Sequence, residues 1–143
     1  MNVIAYGSLM YRQGLEWTLG RSAALTKITI PGWQRVFDAA FEDGFAYCNL
    51  RRSPGSRIEA AYFTLEAAEL DRFAEREEGS RLTEVLPGYH AFVWSGERCR
   101  ELPVLCSYID ICRRGAAELC VRLSLGTEWP ATIHDDTAAP MYP

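Results

Sequence analysis

The sequence predicts an α+β domain: a small mixed or antiparallel sheet closing into a barrel and flanked by two main helices. Three observations carry this. A short apolar run, Asn2 to Tyr6, halts on Gly7-Ser8 and resumes at once with Leu9 and Met10. Several later segments are rich in β-compatible residues and are punctuated by Pro-Gly pairs. One stretch dense in Ala, Leu and Glu follows helical grammar instead, and a later one is framed by a capping serine and a stop glycine.

Residues 2–6 read as a short buried strand. Ile28 to Ile30 leads through Pro31-Gly32 into Trp33 to Asp38, a broken strand region. Residues 45–50 and 58–64 are further strands, expected to pair as a hairpin around Arg51-Arg52-Ser53-Pro54-Gly55-Ser56. Residues 66–78 form a helix that ends at Gly79. Residues 81–85 and 89–94 are strands joined around Pro87-Gly88. Ser107 caps a second helix over 107–125, with Gly126 as its stop signal. The stretch from Thr127 to Pro143 reads as irregular wrapping. Repeats and linkers are absent, so one domain spanning residues 1–143 is expected, long enough to hold its own core.

Composition excludes several classes of function. A net charge of -4, with no lysine or arginine stripe, speaks against a nucleic-acid surface. No apolar run approaches the roughly 20 residues that cross a bilayer, so no membrane partner is expected. The five cysteines, Cys48, Cys99, Cys106, Cys112 and Cys120, show no C-x-x-C spacing and read as free thiols of a reducing cytoplasm. A cysteine nucleophile needs an activating base, and neither His90 nor His134 pairs evidently with one. His134-Asp135-Asp136 lacks the spacing of a metal site, so no metal is expected.

One carboxylate is out of place. At 100° per residue, Glu77 falls in the middle of the stripe formed by Leu70, Phe73 and Ala74, whereas Asp71 and Glu75 lie on the opposite flank and Glu78 at the edge. A carboxylate on an apolar face is costly unless it is paired or protonated. Either Glu77 frays into water with the last turn, or it is a general acid/base whose pKa is lifted by apolar surroundings. Arg76 and Arg81 are the cations within reach of it.

"YGSLM" after the first strand, followed about seventy residues on by "LDRFAEREEG", resembles the gamma-glutamylcyclotransferase-like proteins. That family has a glycine-serine-leucine loop after its first strand and a catalytic glutamate at a helix end, within a run such as R-E-x-G-Y. Here the run is Arg76-Glu77-Glu78-Gly79-Ser80, which places the catalytic role on Glu77. "AYCNL" followed by "IEAAYFTL" is similar to a family hairpin. "SYIDICRRGAAEL" resembles its later helix, with Tyr108 seven residues before Gly115 in the spacing of a substrate-lining tyrosine. The ending "DDTAAPMYP" resembles bacterial members. The chain departs from the family at Ser80, where a tyrosine is usual, at Arg81-Leu82, where an arginine follows, and at Ala60 or Ala61, where the hairpin carries a glycine.

The resemblance implies a lyase or transferase that converts a gamma-glutamyl amide to 5-oxoproline and a free amine. Its partner is a small molecule, and it needs no cofactor. Glu77 would be the acid/base, and Tyr6, Gly7, Ser8, Leu9 and Tyr108 would bind substrate. Each has a plainer reading beside this one. Tyr6 and Tyr108 serve equally as core residues, and Ser8 as a turn former bonding its own backbone. The alternative function is a non-catalytic module that binds a small metabolite in the same cavity, a reading that Ser80 favours.

Overall fold

The computed structural model describes residues 1–136. Eight strands and three α-helices follow in the order β1 (Asn2–Ala5), a 3-10 turn (Ser8–Met10), α1 (Arg12–Leu19), β2 (Thr26–Ala40), β3 (Ala46–Thr64), α2 (Ala67–Arg76), β4 (Ser80–Leu86), β5 (Tyr89–Trp94), β6 (Val104–Leu105), α3 (Cys106–Leu119), β7 (Thr127–Glu128) and β8 (Ile133–His134). Six strands form one mixed sheet in the order β4-β5-β1-β3-β2-β7, and β6 pairs with β8 apart from it. The sheet curls into a half-barrel; the expected closure does not occur, because β4 and β7 remain as separate edges. All five strands expected to share a sheet do so, with β1 central, antiparallel to β3 and parallel to β5.

The hairpin expected within residues 45–64 is absent. Those residues form one 19-residue strand, and β2 runs antiparallel alongside both halves. Arg51 pairs with Gln34 and Arg57 with Pro31, so Ser53 to Ser56 bulge outward opposite the irregularity at Gly32 and reverse nothing. Bulges of this kind bend and twist a long ribbon, which is how two strands of such length wrap round a core. Helix α1 is an addition to the two expected. Helix α3 also ends earlier than expected, at Cys120 in the left-handed conformation (φ 54°). Ser107 is not its N-cap; Leu105 holds that position, and the Ser107 N–H and hydroxyl donate instead to the Asp136 carboxylate. Gly126 lies in the following segment, where an added Cβ would stand 2.2 Å from the Arg57 carbonyl oxygen. The segment read as irregular carries the short strands β7 and β8, and its residues 137–143 lie outside the described part of the chain.

Side-chain alternation along β1 divides the core in two. Val3 and Ala5 pack with Leu15, Leu19 and Phe73 from α1 and α2. Ile4 faces the other way, among Ile30, Leu50, Ile58, Val85 and Val93, all contributed by strands. None of the described helices is long and apolar enough to cross a membrane.

Candidate functional site

β1 stops at Ala5, while its neighbours β3 and β5 run on. Beyond that point the two flanking strands are tied directly to each other: the buried Asn49 side chain accepts the Trp94 N–H at 2.9 Å and donates to Asp38 at 2.9 Å. The space left by the missing length of β1 is a cavity of about 330 Å³, within the range of small-molecule sites. Tyr6, Gly7, Ser8, Leu9, Glu77 and Tyr108, drawn from three separated parts of the sequence, all line it.

The turn after β1 forms one wall. Met10 N–H donates to the Gly7 carbonyl and Tyr11 N–H to that of Ser8, each at 3.1 Å. Among the described residues, the N–H groups of Gly7, Ser8 and Leu9 have no hydrogen-bond acceptor, as the opening of a 3-10 turn dictates. Position 7 is crowded: an added Cβ would stand 3.2 Å from the Tyr108 hydroxyl oxygen and 3.3 Å from the Cys48 Cβ, so a side chain there would push these neighbours by a few tenths of an ångström. Helix α3 presses on the turn in a similar way. A Cβ on Gly115 would lie 2.4 Å from the Tyr11 nitrogen, so the helix meets the turn backbone to backbone. Tyr108 and Gly115 are seven residues apart, two helical turns, and therefore share the face turned toward this loop. That gives the spacing seen in the sequence its physical reason.

Helix α2 supplies the opposing wall. It ends one residue before Glu77, which serves as its C-cap and donates its N–H to the Phe73 carbonyl at 3.1 Å. Phe73 is buried and Leu70 half-buried, but Ala74 is exposed, so the apolar stripe is narrower than the helical wheel implied. Glu75 and Glu78 are exposed. The Glu77 side chain is 20% exposed, and its carboxylate accepts a hydrogen bond from Arg76. Burial raises its pKa above the ordinary carboxylate value, and Arg76 offsets part of that rise.

Arg35, which sequence reasoning passed over, lies behind the turn. It is fully buried on β2, its Nε donating to the Tyr6 carbonyl at 2.6 Å and one Nη to the Glu59 carbonyl. Its other Nη has no partner, and no carboxylate pairs with it among the described residues. Desolvation lowers its pKa. A charged donor on the Tyr6 carbonyl polarises the Tyr6–Gly7 peptide, and hydrogen bonding of this kind strengthens the N–H at the other end. The available signal was an arginine between Trp33 and the apolar pair Val36-Phe37.

Two chemistries find little support in this site. Cys48 lines the cavity, but burial pushes its thiol up to about 12, far from a reactive thiolate. No cluster of His, Cys, Asp or Glu among the described residues has the arrangement of a metal site.

No protein-family model matches the sequence, and no curated protein matches it. A structure titled gamma-glutamyl cyclotransferase superposes with a TM-score of 0.76 at 16% identity, covering 97% of this chain and 92% of that one. An uncharacterised Homo sapiens protein gives a TM-score of 0.67 at 15% identity, over 99% and 92%. YkqA from Bacillus subtilis gives 0.63 at 19% identity, over 82% of this chain and 48% of that one. The half-barrel with its three helices is therefore the gamma-glutamyl cyclotransferase fold.

Proposed function

We propose that this protein cyclises a gamma-glutamyl amide to 5-oxoproline, with Glu77 as its acid/base and the Tyr6–Leu9 turn as its substrate cradle. One observation carries the reading: a half-buried carboxylate and a turn with unused N–H groups line a single small cavity, in a fold shared with a gamma-glutamyl cyclotransferase.

The substrate's own α-amine is the nucleophile. Its nitrogen attacks the γ-carbonyl carbon, the bond from that carbon to the departing nitrogen breaks, and one proton moves from the attacking to the departing nitrogen. Water is not consumed and no electrons are exchanged. Ring closure within one molecule already supplies much of the advantage of proximity. A carboxylate with a raised pKa is suited to take the amine proton and return it to the leaving group. The Gly7, Ser8 and Leu9 amides offer donors for the tetrahedral oxyanion or for the substrate α-carboxylate. Tyr108 holds the cradle in place, since its hydroxyl accepts the Cys48 N–H at 3.2 Å and its ring forms part of the lining.

The test is release of 5-oxoproline from gamma-glutamyl amino acids, gamma-glutamyl amines and glutathione, run beside Glu77→Gln. Turnover by the wild type and its loss in the variant support the proposal. Binding without turnover in both proteins would point instead to the metabolite-binding module, the reading that Ser80 in the cavity wall favours.

A further inference from the structure

The remaining wall of the cavity is aromatic. It is built by Phe41 just after β2, Tyr47 at the start of β3 and Trp94 at the end of β5. Phe41 stacks on Trp94 with ring centroids 4.5 Å apart and leans on Tyr47 at the same distance; Tyr47 meets Tyr108 edge-on at 4.9 Å.

Trp94 is held from several directions. Its main-chain N–H is bonded to Asn49, and its Nε1 donates to the Glu97 carbonyl at 2.7 Å. A Cβ on Gly79 would stand 2.3 Å from the indole and one on Gly96 2.7 Å, so both positions must lack a side chain for the ring to lie where it does. This much constraint on one ring at a cavity edge describes a built surface.

The polar tips of this wall are already engaged. The Tyr47 hydroxyl donates to Asp43 and the Trp94 indole N–H to Glu97, leaving ring faces and edges for a ligand. The charged residues lining the cavity are Arg76 and Glu77, which bond each other. Phe41 is 41% exposed and marks the side open to solvent.

Resting on the cyclisation proposed above, we infer that this wall receives the departing amine, and that the favoured substrates are gamma-glutamyl amides of amines bearing an uncharged aromatic or bulky apolar group. The polar ends of the glutamyl half, its α-amine and α-carboxylate, match Glu77 and the Gly7–Leu9 amides. The group beyond the γ-carbonyl then extends along the aromatic wall toward Phe41. No spare carboxylate in the lining answers a cationic amine. Stacked aromatic contact is favourable beyond the area it buries.

The experiment compares kcat/KM for gamma-glutamyl benzylamide, methylamide and 5-aminopentylamide in the full chain, read as 5-oxoproline. The benzylamide is expected to exceed the other two by ~10-fold or more, the scale of a filled apolar subsite. Phe41→Ala, at an exposed position, and Trp94→Leu should each bring the ratio toward one, through a raised KM of the benzylamide. Equal rates for benzylamide and methylamide, preference for the cationic amide, or an unchanged ratio in both variants would overturn the inference while leaving cyclisation standing. Turnover of gamma-glutamyl amino acids or glutathione but of none of the three amides overturns it as well; if the wild type cyclises nothing, cyclisation fails. Calorimetric binding then decides the subsite: tighter benzylamide than methylamide binding, lost in Phe41→Ala, supports it, and equal binding overturns it.

Discussion

Helix α2 carries a glutamate–arginine pair at each end, and the two pairs behave oppositely. Near its start Glu69 accepts two hydrogen bonds from Arg21, at 2.6 and 2.8 Å, and a third from the Glu66 N–H that closes a capping box. The Arg21 hydrogen bond is the main force holding Glu69 down at about 2, with the Glu66 amide adding to it. Just past its end Glu77 also has an arginine, yet its pKa is raised, because burial outweighs Arg76. The lesson is that a charged neighbour does not by itself make a carboxylate comfortable. The number of donors on the carboxylate, set against desolvation by the protein packed round it, decides the sign. One end of the helix gains stability from its carboxylate, and the other carries its carboxylate at a cost, which the proposed acid/base role would explain.

The largest test of this contrast is on activity. Glu77→Gln keeps the side-chain shape and should lower turnover by ~10²-fold or more with KM largely kept, the usual scale for losing a general acid/base. Glu69→Gln and Glu78→Gln should turn over substrate at close to the wild-type rate. Full activity in Glu77→Gln would end the comparison.

Next in size is the connection leaving the helix. Gly79 has φ +90°, and any side chain there meets Trp94. Gly79→Ala should destabilise the fold by about 2–3 kcal/mol, read as a lower denaturation midpoint, from backbone strain and the displaced indole together.

The two carboxylates should also tilt stability against pH in opposite directions. Glu69, with its lowered pKa, contributes stability that is present above the ordinary carboxylate range and lost as pH falls toward about 2. Glu77, with its raised pKa, costs stability as pH climbs from the ordinary range through its raised value. Glu77→Gln should therefore be the more stable protein at neutral pH, and the gain should vanish in acid. Arg76→Met removes the cation that offsets Glu77's burial, so the acid limb of kcat/KM should move to higher pH. A limb that stays in place, or moves down, would break the assignment of that limb to Glu77.

The smallest effect belongs to the pair at the helix start, whose arginine is exposed. Glu69→Gln should lower stability by under about 1 kcal/mol, less in high salt, because surface ion pairs are worth little. A larger loss would mean that the capping box at Glu66 depends on that carboxylate's charge.

Local signals served well where they agreed with tertiary packing. The break at Gly7-Ser8, the Pro87-Gly88 hairpin and the dense helix before Gly79 all stand in the structure. Glu77 could be singled out because a charge interrupting a periodic apolar stripe is visible in one dimension, although Ala74 does not belong to that stripe. Arg12–Leu19 was not legible. It has no acidic residue in its first turn and no side-chain cap, and contains a glycine; burial of Leu15 and Leu19 against β1 and α2 holds it in place. The continuity of β3 was hidden for the opposite reason. Pro54-Gly55 is a strong turn signal, but the partner strand runs past it and converts the turn to a bulge. The aromatic wall escaped notice because Phe41, Tyr47 and Trp94 meet only once three strand ends converge.

The shortness of β1 has a consequence for the order of assembly. Its partners are far along the chain: Asn2 pairs with Thr64 on one side and with Tyr89 on the other. During synthesis β1 leaves the ribosome before either strand that must hold it, and contacts of such sequence separation are slow to close. The β2–β3 ribbon and the β4–β5 hairpin can each form from neighbouring segments first. The slot between them then receives β1, and that docking brings the Gly7 turn opposite Glu77. The cavity, walled by the turn after β1, by β3 and β5 and by Tyr108 of α3, thus depends on contacts between segments far apart in the chain, and a chain that stops short of them lacks part of its wall.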